Sequence, residues 1–370
     1  MRSRWERWRR GWRWLALAGA TAAAAATPAV VAAVPAADRP IGAEALLARV
    51  RASAAVPYQG YAESRAGLGL PDVPQAGRVV ALLGETTRMR AWVASPQVWR
   101  VDELTTIGER DLYHQPWGTW LWDSGARQAE RTTGEAAVRF ARPADLLPPE
   151  LGRRLAAAAG PGEVSRLPAR RVAGVDALGL RIIPRDPATT VGRVDLWADP
   201  RSGLPVRVEL LARGARSPIV TTSFLGLRQA PPPAATVGFR VPADATVEVD
   251  DAPDVARAID RFSPFVLPDP LAGQPRRTRV AGAAGTYGRG FAVVAVLAFP
   301  ARFSPRTRAF LDEVPTVRGP WGEASLVATP LLNGLVFEQG EAAYALAGTV
   351  PPAQLERVAT VLARDGVGFR

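Results

Sequence analysis

The chain has 370 residues, of which 48% are hydrophobic and 22% are charged, so it is long enough to form two globular domains. It contains no cysteine, which excludes disulfides, thiolate metal sites, cysteine nucleophiles and lipid attachment through an N-terminal cysteine. The formal net charge is +11, and every basic residue apart from the single histidine is an arginine. These arginines are scattered and accompany no nucleic-acid-binding motif, so we expect no nucleic-acid partner.

The first 37 residues have the pattern of a targeting segment. Six arginines between Arg2 and Arg13 precede an uncharged run from Trp14 to Ala37, and Val34-Pro35-Ala36 offers a small-residue cleavage site. The prolines and weakly hydrophobic alanines of this run favour a cleaved signal peptide. The tryptophans among the arginines are typical of a membrane interface and favour an uncleaved anchor at the membrane surface. Both alternatives place residues 38–370 outside the cytoplasm.

The region up to about residue 250 predicts a long, curved antiparallel sheet with two helical pieces. A helix is expected over Ile41–Ala55, with Leu46, Leu47 and Val50 on its apolar stripe. A second helical piece is expected over Pro143–Gly160. Short alternating runs predict the strands YQGYAES, GRVVALLG, RMRAWVAS, QVWRVDEL, WGTWLWDSG, RRVAGVDALGLRIIP, the two arms of VGRVDLWADPRSGLPVRVELL, and SPIVTTSFLGL.

The stretch VGRVDLWADPRSGLPVRVELL, Val191–Leu211, predicts a β-hairpin around a turn that contains proline and glycine. Side chains alternate along each arm, and matching the two apolar faces sets Leu196 opposite Val206. The same register pairs opposite charges on the wetter face, Asp195 with Arg207 and Arg193 with Glu209.

A proline-rich stretch separates this sheet from a second unit. Residues 251–284 predict a linker, and residues 285–370 predict a smaller α+β domain. That domain is expected to contain a short helix at Pro305–Glu313 and the strands GFAVVAVLAFP, EASLVAT, GLVFEQG and AAYALAG. The segment VPPAQLERVATVLARDG predicts a closing amphipathic helix whose apolar face is Leu355, Val358, Ala359 and Leu362.

Motifs for catalysis or metal binding are missing from the sequence. His114 is the single histidine, and no H-x-x-x-H, G-x-S-x-G or lysine-containing phosphate loop occurs. Adjacent acids such as Asp102-Glu103 have side chains that diverge, so they do not share a proton. We therefore expect a protein that is not an enzyme and that uses no cofactor or metal. A hydrolase with two carboxylates across a cleft stays open as an alternative.

Aromatic side chains crowd the predicted strands of the first half. On a curved sheet they would line a concave apolar cleft that accepts an acyl chain. The alternative is an ordinary core beneath the helices, which the pattern does not distinguish from an open pocket. The residues assigned to the cleft are Trp92, Trp99, Trp120, Trp122 and Tyr61, and two of them, Trp120 and Trp122, share one strand face.

Three stretches resemble the lipoprotein-carrier (LolA-like) fold as it occurs in the RseB/MucB regulators of envelope-stress sigma factors. They are VAGVDALGLRIIPRDPATTVGRVDLWADPRSGLPVRVELLARGARSPIVTTSFLGL, WGTWLWDSGARQAERT and AYALAGTVPPAQLERVATVLA. The resemblance implies an α+β fold. Residues 38–250 would form a curved antiparallel half-barrel with helices in its concave face, followed by the smaller C-terminal domain.

The same resemblance implies a function. The larger domain would bind acyl chains of lipid or lipoprotein, and the smaller domain would hold the extracytoplasmic domain of an anti-sigma factor. A ligand would release that partner only through a difference in its affinity for the two states. The alternative is a carrier of lipid or lipoprotein across the cell envelope, a role for which a second domain is not needed.

Overall fold

A computed structural model of the chain describes residues 35–71, 77–106, 108–133, 139, 141–251, 261–279, 281–303 and 314–369. Most of the predicted targeting segment lies outside the described residues, and so does the short helix predicted at Pro305–Glu313. No helix within these ranges is both long enough and apolar enough to cross a lipid bilayer.

The first two thirds of the chain form one open, mostly antiparallel sheet of twelve strands. The strands are β1 (Tyr58–Ala66), β2 (Thr86–Ser95), β3 (Val98–Thr105), β4 (Gly108–Gln115), β5 (Gly118–Asp123), β6 (Gln128–Thr133), β7 (Val164–Val172), β8 (Val175–Ile182), β9 (Val191–Ala198), β10 (Pro205–Ala212), β11 (Val220–Arg228) and β12 (Thr246–Asp251). Their spatial order is β12-β6-β5-β4-β3-β2-β1-β11-β10-β9-β8-β7. The sheet does not close on itself, and β12 is the one strand that runs parallel to its neighbour, β6.

Helices cover one face of this sheet, which we call the inner face. The helices described on the inner face are α1 (Ala43–Ala52), α2 (Gly77–Gly84) and α3 (Pro148–Ala158), which a 3-10 turn (Pro143–Leu146) precedes. The short α4 (Ala234–Val237) lies on the opposite face, where Gln115 donates a hydrogen bond to the carbonyl of Val237. Helices α1 and α3 pack against the β7–β10 half of the inner face. The apolar stripe predicted for the first helix, Leu46, Leu47 and Val50, is fully buried there, which confirms that prediction.

Four predictions about secondary structure in the sheet differ from what is observed. The segment GRVVALLG was expected as a strand and is the helix α2. Its apolar residues are consecutive, a pattern that does not separate a buried strand from a helix, and Leu82 enters the core beside β1. The sequence also predicts none of β4, β6 and β12, because the first two segments are rich in polar residues and the third follows a proline-rich stretch. Strands β4 and β6 form because neighbouring strands pair with them on both sides, and β12 forms by pairing with β6.

The predicted hairpin is present as β9 and β10, but its register is shifted by two residues. Leu196 lies opposite Val208 and not opposite Val206. The loop Asp199–Leu204 is closed by main-chain hydrogen bonds, and β10 has an irregularity after Pro205 that takes up the difference. A shift of two residues keeps every side chain on its predicted face, so the apolar pattern alone does not detect it.

The charge pairs predicted for this hairpin are wrong for the same reason. Asp195 lies opposite Glu209 and is held by the guanidinium of Arg181 on β8 through two hydrogen bonds of 2.7 Å. Arg193 contacts Asp195 at 3.3 Å, within its own strand. Arg207 contacts Glu209 at 2.7 Å, also within its own strand. Each of these four charged side chains of the hairpin therefore has an ion-pair partner. The partners lie on the same strand or on β8, and not across the hairpin as the sequence predicts.

The described residues between 261 and 369 form two further sheets and a closing helix. They comprise the strands β13 (Phe265–Val266), β14 (Arg276–Arg279), β15 (Ala284–Arg289), β16 (Ala292–Pro300), β17 (Thr316–Gly319), β18 (Gly322–Val327), β19 (Asn333–Gln339), β20 (Ala342–Gly348) and β21 (Gly368–Phe369), and the helix α5 (Pro352–Asp365). Seven strands form a sheet in the order β14-β15-β16-β20-β19-β18-β17, and β13 pairs with β21. The predicted apolar face of the closing helix is buried in this core.

The segment predicted as a linker, residues 251–284, is partly built into this second unit. Phe265, Leu267 and Leu271 are buried in the core beneath α5. Prolines and glycines interrupt these apolar residues, so they show no helical or strand periodicity, and that is why the segment reads as a linker.

Main-chain carbonyls of the second unit accept hydrogen bonds from the loop before β9. Thr189 Oγ1 lies 3.0 Å from the carbonyl oxygens of Phe291 and Thr349, and Thr190 Oγ1 lies 2.5 Å from that of Leu331. The side chains of Phe291 and Leu331 also join the core beneath α1 and α3. The large sheet and the second unit therefore share buried contacts.

Candidate functional site

A cavity of about 350 Å³ lies between the inner face of the large sheet and the segment that contains the 3-10 turn and α3. Its volume falls within the range of small-ligand pockets, about 300–1,000 Å³. The wall on the sheet side is formed by Tyr58, Val93, Trp99, Val101, His114 and Thr119. The covering segment contributes Ala144 and Leu147 together with six charged residues described below.

One row of paired residues across five strands forms the floor of the cavity. Tyr58 pairs with Val93, Val93 with Trp99, Trp99 with His114, and His114 with Thr119. Directly opposite residues of an antiparallel sheet project to the same face, so the register brings all five to the inner face. The rings of Trp99 and His114 stack at 5.0 Å, and His114 Nδ1 lies 3.0 Å from Thr119 Oγ1.

The hydroxyl of Tyr58 is a buried hydrogen-bond donor in this cavity. The side chain is 1% exposed, and its oxygen has no hydrogen-bond partner among the described residues. Burial raises the pKa of the Tyr58 phenol, which therefore keeps its proton at neutral pH. Leaving such a group without a partner costs about 1–3 kcal/mol. A ligand that brings an oxygen acceptor to this position would recover that free energy.

Asp145 organises the rim of the cavity. Its carboxylate accepts two hydrogen bonds from the Arg139 guanidinium, at 2.6 and 2.8 Å, and one from Arg154 at 3.1 Å. The main-chain N–H of Arg142 donates a further bond at 2.8 Å. Burial by itself would raise the pKa of the Asp145 carboxyl, but the bonds from Arg139 and the Arg142 N–H outweigh it and the pKa is lowered. Asp145 is therefore a stable anion that fixes the surrounding arginines.

The rim carries more positive than negative charge. The charged residues that line the cavity are Arg139, Arg142, Asp145, Glu150, Arg153 and Arg154. Four arginines against two carboxylates leave an excess of two positive charges, since the single histidine counts as neutral. The floor combines the apolar side chains of Val93 and Trp99 with the polar groups of His114 and Thr119. Such a mixed floor beneath a guanidinium-rich rim suits an amphiphile whose head group is anionic or rich in oxygen.

The structure does not bring the five residues of the predicted cleft together. Trp99 lines the cavity. Trp92, Trp120, Trp122 and Tyr61 occupy the alternate positions of their strands and lie on the opposite, outer face. Sequence alternation tells which residues share a face, as it does for Trp120 and Trp122, but it does not tell which face the helices cover. Acyl-chain binding by this set therefore stays a prediction for Trp99 alone.

An aromatic cluster on the outer face explains the other tryptophans. The chain after β11 returns across this face, and Phe239 packs against Tyr113, Trp120 and Trp122, with ring centroids 4.9, 5.1 and 6.3 Å away. Nothing in the alternating pattern of Trp120 and Trp122 indicates this covering segment, because Phe239 is more than a hundred residues further along the chain. These tryptophans are packing residues of the outer face.

A buried ion cluster lies beside these aromatics. Arg100 bonds Asp102 through two hydrogen bonds of 2.6 and 2.9 Å and bonds Asp111 at 3.0 Å. The guanidinium lies 5.1 Å from the ring centre of Trp92 and 4.8 Å from that of Tyr113. Burial, together with the neighbouring Asp102 carboxylate, raises the pKa of Asp111 to about 6. Burial also raises the pKa of Asp102.

A third carboxylate stands close to these two. Oxygen atoms of Asp102, Glu109 and Asp111 lie within 4.8 Å of one another. Arg100 bonds the two aspartates, and Arg90 forms an ion pair with Glu109. The two guanidinium groups compensate most of the negative charge of the three carboxylates.

The fold is recognised by comparison with solved structures. No protein-family model and no curated protein matches the chain. The complex structure of Pseudomonas aeruginosa MucA/MucB contains a chain that matches with a TM-score of 0.50 at 17% identity, over 86% of this chain and 97% of that chain. The fold is MucB-like. A crystal structure of MucB in complex with MucA(peri) matches with a TM-score of 0.49 at 18% identity, over 86% of this chain and 97% of that chain.

A shorter protein also aligns with part of the chain. The LolA superfamily protein NE2245 from Nitrosomonas europaea gives a TM-score of 0.25 at 11% identity, over 54% of this chain and 98% of that chain. The MucB match is longer because it extends over the greater part of both units. In this MucB-like chain the rim arginines are cavity residues that the sequence did not indicate, whereas Tyr58 belongs to the aromatic side chains that crowd the predicted strands. Arg139 and Arg142 precede the predicted helical piece Pro143–Gly160, and Arg153 and Arg154 belong to it. This density of arginines in and before a predicted helix is the sequence feature that could have indicated the rim.

Proposed function

We propose that the chain is an extracytoplasmic regulator of an envelope-stress sigma factor that binds the extracytoplasmic domain of an anti-sigma factor. The observation that carries the proposal is the MucB-like fold, whose match extends over 86% of the chain and includes the second unit. A simple carrier needs the large sheet alone. The targeting pattern of residues 1–37 supports the location, and the three motif stretches support the class of partner.

The test of this proposal is direct binding by the full chain. The extracytoplasmic segments of the membrane-spanning anti-sigma factors of the same genome are titrated against it by calorimetry. We expect one of them to form a stoichiometric complex, and hydrogen exchange of that complex should slow in residues 265–369. If none of the segments binds, the proposal fails. A complex that protects only β7–β10 would keep the partner but reject its assignment to the second unit.

We further propose that the inner-face cavity binds the acyl chain of an amphiphile. Three features support it: the apolar side chains of Val93, Trp99 and Val101 in the cavity wall, the excess of positive charge at the rim, and the buried Tyr58 hydroxyl, which has no partner among the described residues. Asp145 and Glu150, the carboxylates that line the cavity, are both engaged by arginines, which supports binding rather than hydrolysis. The proposed role is therefore non-catalytic.

Two substitutions in the cavity and one on the outer face test where the ligand binds. Tyr58→Phe removes one oxygen, so it should weaken binding of a fluorescent fatty acid by about three- to tenfold while slightly stabilising the free protein, because the unpaired hydroxyl is gone. Trp99→Ala should weaken binding further, whereas Trp122→Ala on the outer face should leave the affinity unchanged. Equal affinity in all three variants would contradict the site.

Native mass spectrometry separates the regulator from the carrier. An acyl ligand present in stoichiometric amount, together with no anti-sigma partner in the titrations above, would favour the alternative of a lipid or lipoprotein carrier. Binding of an anti-sigma partner without any acyl ligand would support the proposed regulator and contradict the proposed ligand site in the cavity.

A further inference from the structure

The tip of the β4–β5 hairpin holds a large apolar side chain in solvent. Trp117 is 59% exposed, although tryptophan is usually mostly buried in a folded chain. The adjacent Pro116 is exposed as well. The residues that close this hairpin, His114 and Thr119, line the cavity and contact each other. The tip therefore lies beside the cavity.

The β2–β3 turn lies at the same end of the sheet. Val93, Trp99, His114 and Thr119 form one paired row, so the turns that follow Ser95 and Gln115 lie side by side. Pro96 in the first of these turns also lines the cavity, and Gln97 beside it is exposed. The basic rim completes this end.

The rim arginines reach solvent here. The side chain of Arg154 is 62% exposed and that of Arg139 is 35% exposed. An exposed indole, a guanidinium-rich surface and the mouth of an amphiphile-sized cavity therefore occur together. We call this set, Pro96, Gln97, Trp117, Arg139 and Arg154, the docking end.

We infer that the docking end binds the surface of an anionic phospholipid bilayer. Indole side chains partition into the head-group region of a membrane, and each arginine held near an anionic leaflet adds roughly 1 kcal/mol of attraction. Seated in this way, the cavity mouth would face the lipid, and an acyl chain could enter without crossing water. The inference depends neither on the anti-sigma partner nor on occupation of the cavity.

The absence of cysteine makes a site-specific test simple. A single cysteine introduced by Gln97→Cys in the full chain takes an environment-sensitive fluorophore at the docking end. Ser217→Cys places the same fluorophore in the exposed β10–β11 turn, at the opposite end of the strands. Vesicles of phosphatidylcholine alone are compared with vesicles that also contain phosphatidylglycerol. We expect the Gln97 probe to shift to shorter wavelength on the anionic vesicles only, and the Ser217 probe to stay unchanged.

Substitutions on the Gln97→Cys background identify the groups responsible. Trp117→Ala and Arg154→Gln should each lower the affinity for anionic vesicles by about three- to tenfold, in line with the free energy per arginine at an anionic surface. Arg216→Gln makes the same charge change at the opposite end and should have no such effect. All three positions are exposed, so the variants should fold, which circular dichroism verifies.

Several outcomes would overturn the inference. Binding through residues 1–37 alone would leave the two probes alike and make Trp117→Ala and Arg154→Gln silent. Equal binding to neutral and anionic vesicles would show that the arginines do not contribute and would contradict binding to an anionic surface. Failure here while an anti-sigma segment still binds would reject the docking end and leave the proposed function intact.

Discussion

Asp102 and Asp111 lie directly opposite each other on β3 and β4, and a single guanidinium, that of Arg100, bonds both carboxylates. The two side chains are 1% and 6% exposed, so the like charges meet with little water between them. One oxygen of Asp111 has no hydrogen-bond partner among the described residues. One cation for two buried anions makes this pair sensitive to protons.

The Asp111 carboxyl should make the protein less stable as the pH rises. Its pKa is about 6 in the folded chain, against about 3.9 for an unfolded aspartate. The folded state therefore binds more protons between these values, and the free energy of unfolding falls as the pH rises through them, by up to about 3 kcal/mol. Asp111→Asn should flatten this dependence and add about 1–2 kcal/mol at neutral pH. Urea unfolding at mildly acidic and neutral pH measures both effects.

Asp123→Asn provides the matched control on the neighbouring strand. Hydrogen bonds from the Ala126 N–H and from Arg110 lower the pKa of Asp123, so the change should reduce stability at neutral pH, the opposite sign. If Asp111→Asn destabilises the chain at both pH values, the pair is not a source of repulsion.

Asp145 should behave in the opposite way from Asp111. Its pKa is lowered, so its contribution is fully present above the unfolded value, about 3.9, and is lost as the pH falls through its folded pKa. Asp145→Asn leaves Arg139 and Arg154 without their anion and should cost about 2–4 kcal/mol at neutral pH, measured by chemical unfolding. Glu150→Gln, at a more exposed pair on the same rim, should cost less than about 1 kcal/mol.

The hairpin register can be tested by two double-mutant cycles. Asp195 and Arg181 share two hydrogen bonds of 2.7 Å, so their coupling energy should be about 1–3 kcal/mol. Asp195 and Arg207, the pair that the sequence predicts, should couple by less than about 0.5 kcal/mol. Thermal or urea unfolding of the single and double variants gives both energies. A larger coupling to Arg207 would restore the predicted register.

Gly203 should tolerate no side chain. Its φ is +73°, and a Cβ there would lie 2.3 Å from the carbonyl oxygen of Arg49. Gly203→Ala should therefore cost about 3 kcal/mol or more, from the left-handed conformation and from a clash with main chain. Gly214→Ala has a similar φ of +77° in open space, so it should cost only about 1 kcal/mol. Similar losses at the two positions would show that the close approach to α1 does not matter.

Much of the local structure follows from the sequence, because local patterns encode it. Periodicity placed α1 and α5 and their buried faces, and alternation placed most strands, including both arms of the hairpin. Strands β4 and β6 were missed because their residues are polar, and β12 and several short strands of the second unit were missed because they lie in or near segments rich in proline and glycine. Helix α2 was misassigned because a consecutive apolar run suits a helix or a buried strand equally well.

The residues of the candidate site were predicted from the sequence less completely than the secondary structure was. Trp99 was predicted and lines the cavity, and Tyr58 lines it as another aromatic of the predicted strands, but the arginines around Asp145 were not assigned to it. Trp92 and Trp99 illustrate the difficulty, since both are aromatic and both stand on alternating strands. One faces the cavity and the other faces Arg100, and that difference comes from the pairing of β2 with β3.

The sequence by itself determined many of the elements, their amphipathic faces and the absence of cysteine chemistry, because each of these is a property of neighbouring residues. Only the tertiary structure decided which face of the sheet the helices cover, which partner neutralises Asp195, and that Phe239 returns to cover Trp120. The physical reason is that strand pairing and long-range packing join residues far apart in the chain. A register shift of two residues or a returning segment leaves every local pattern unchanged.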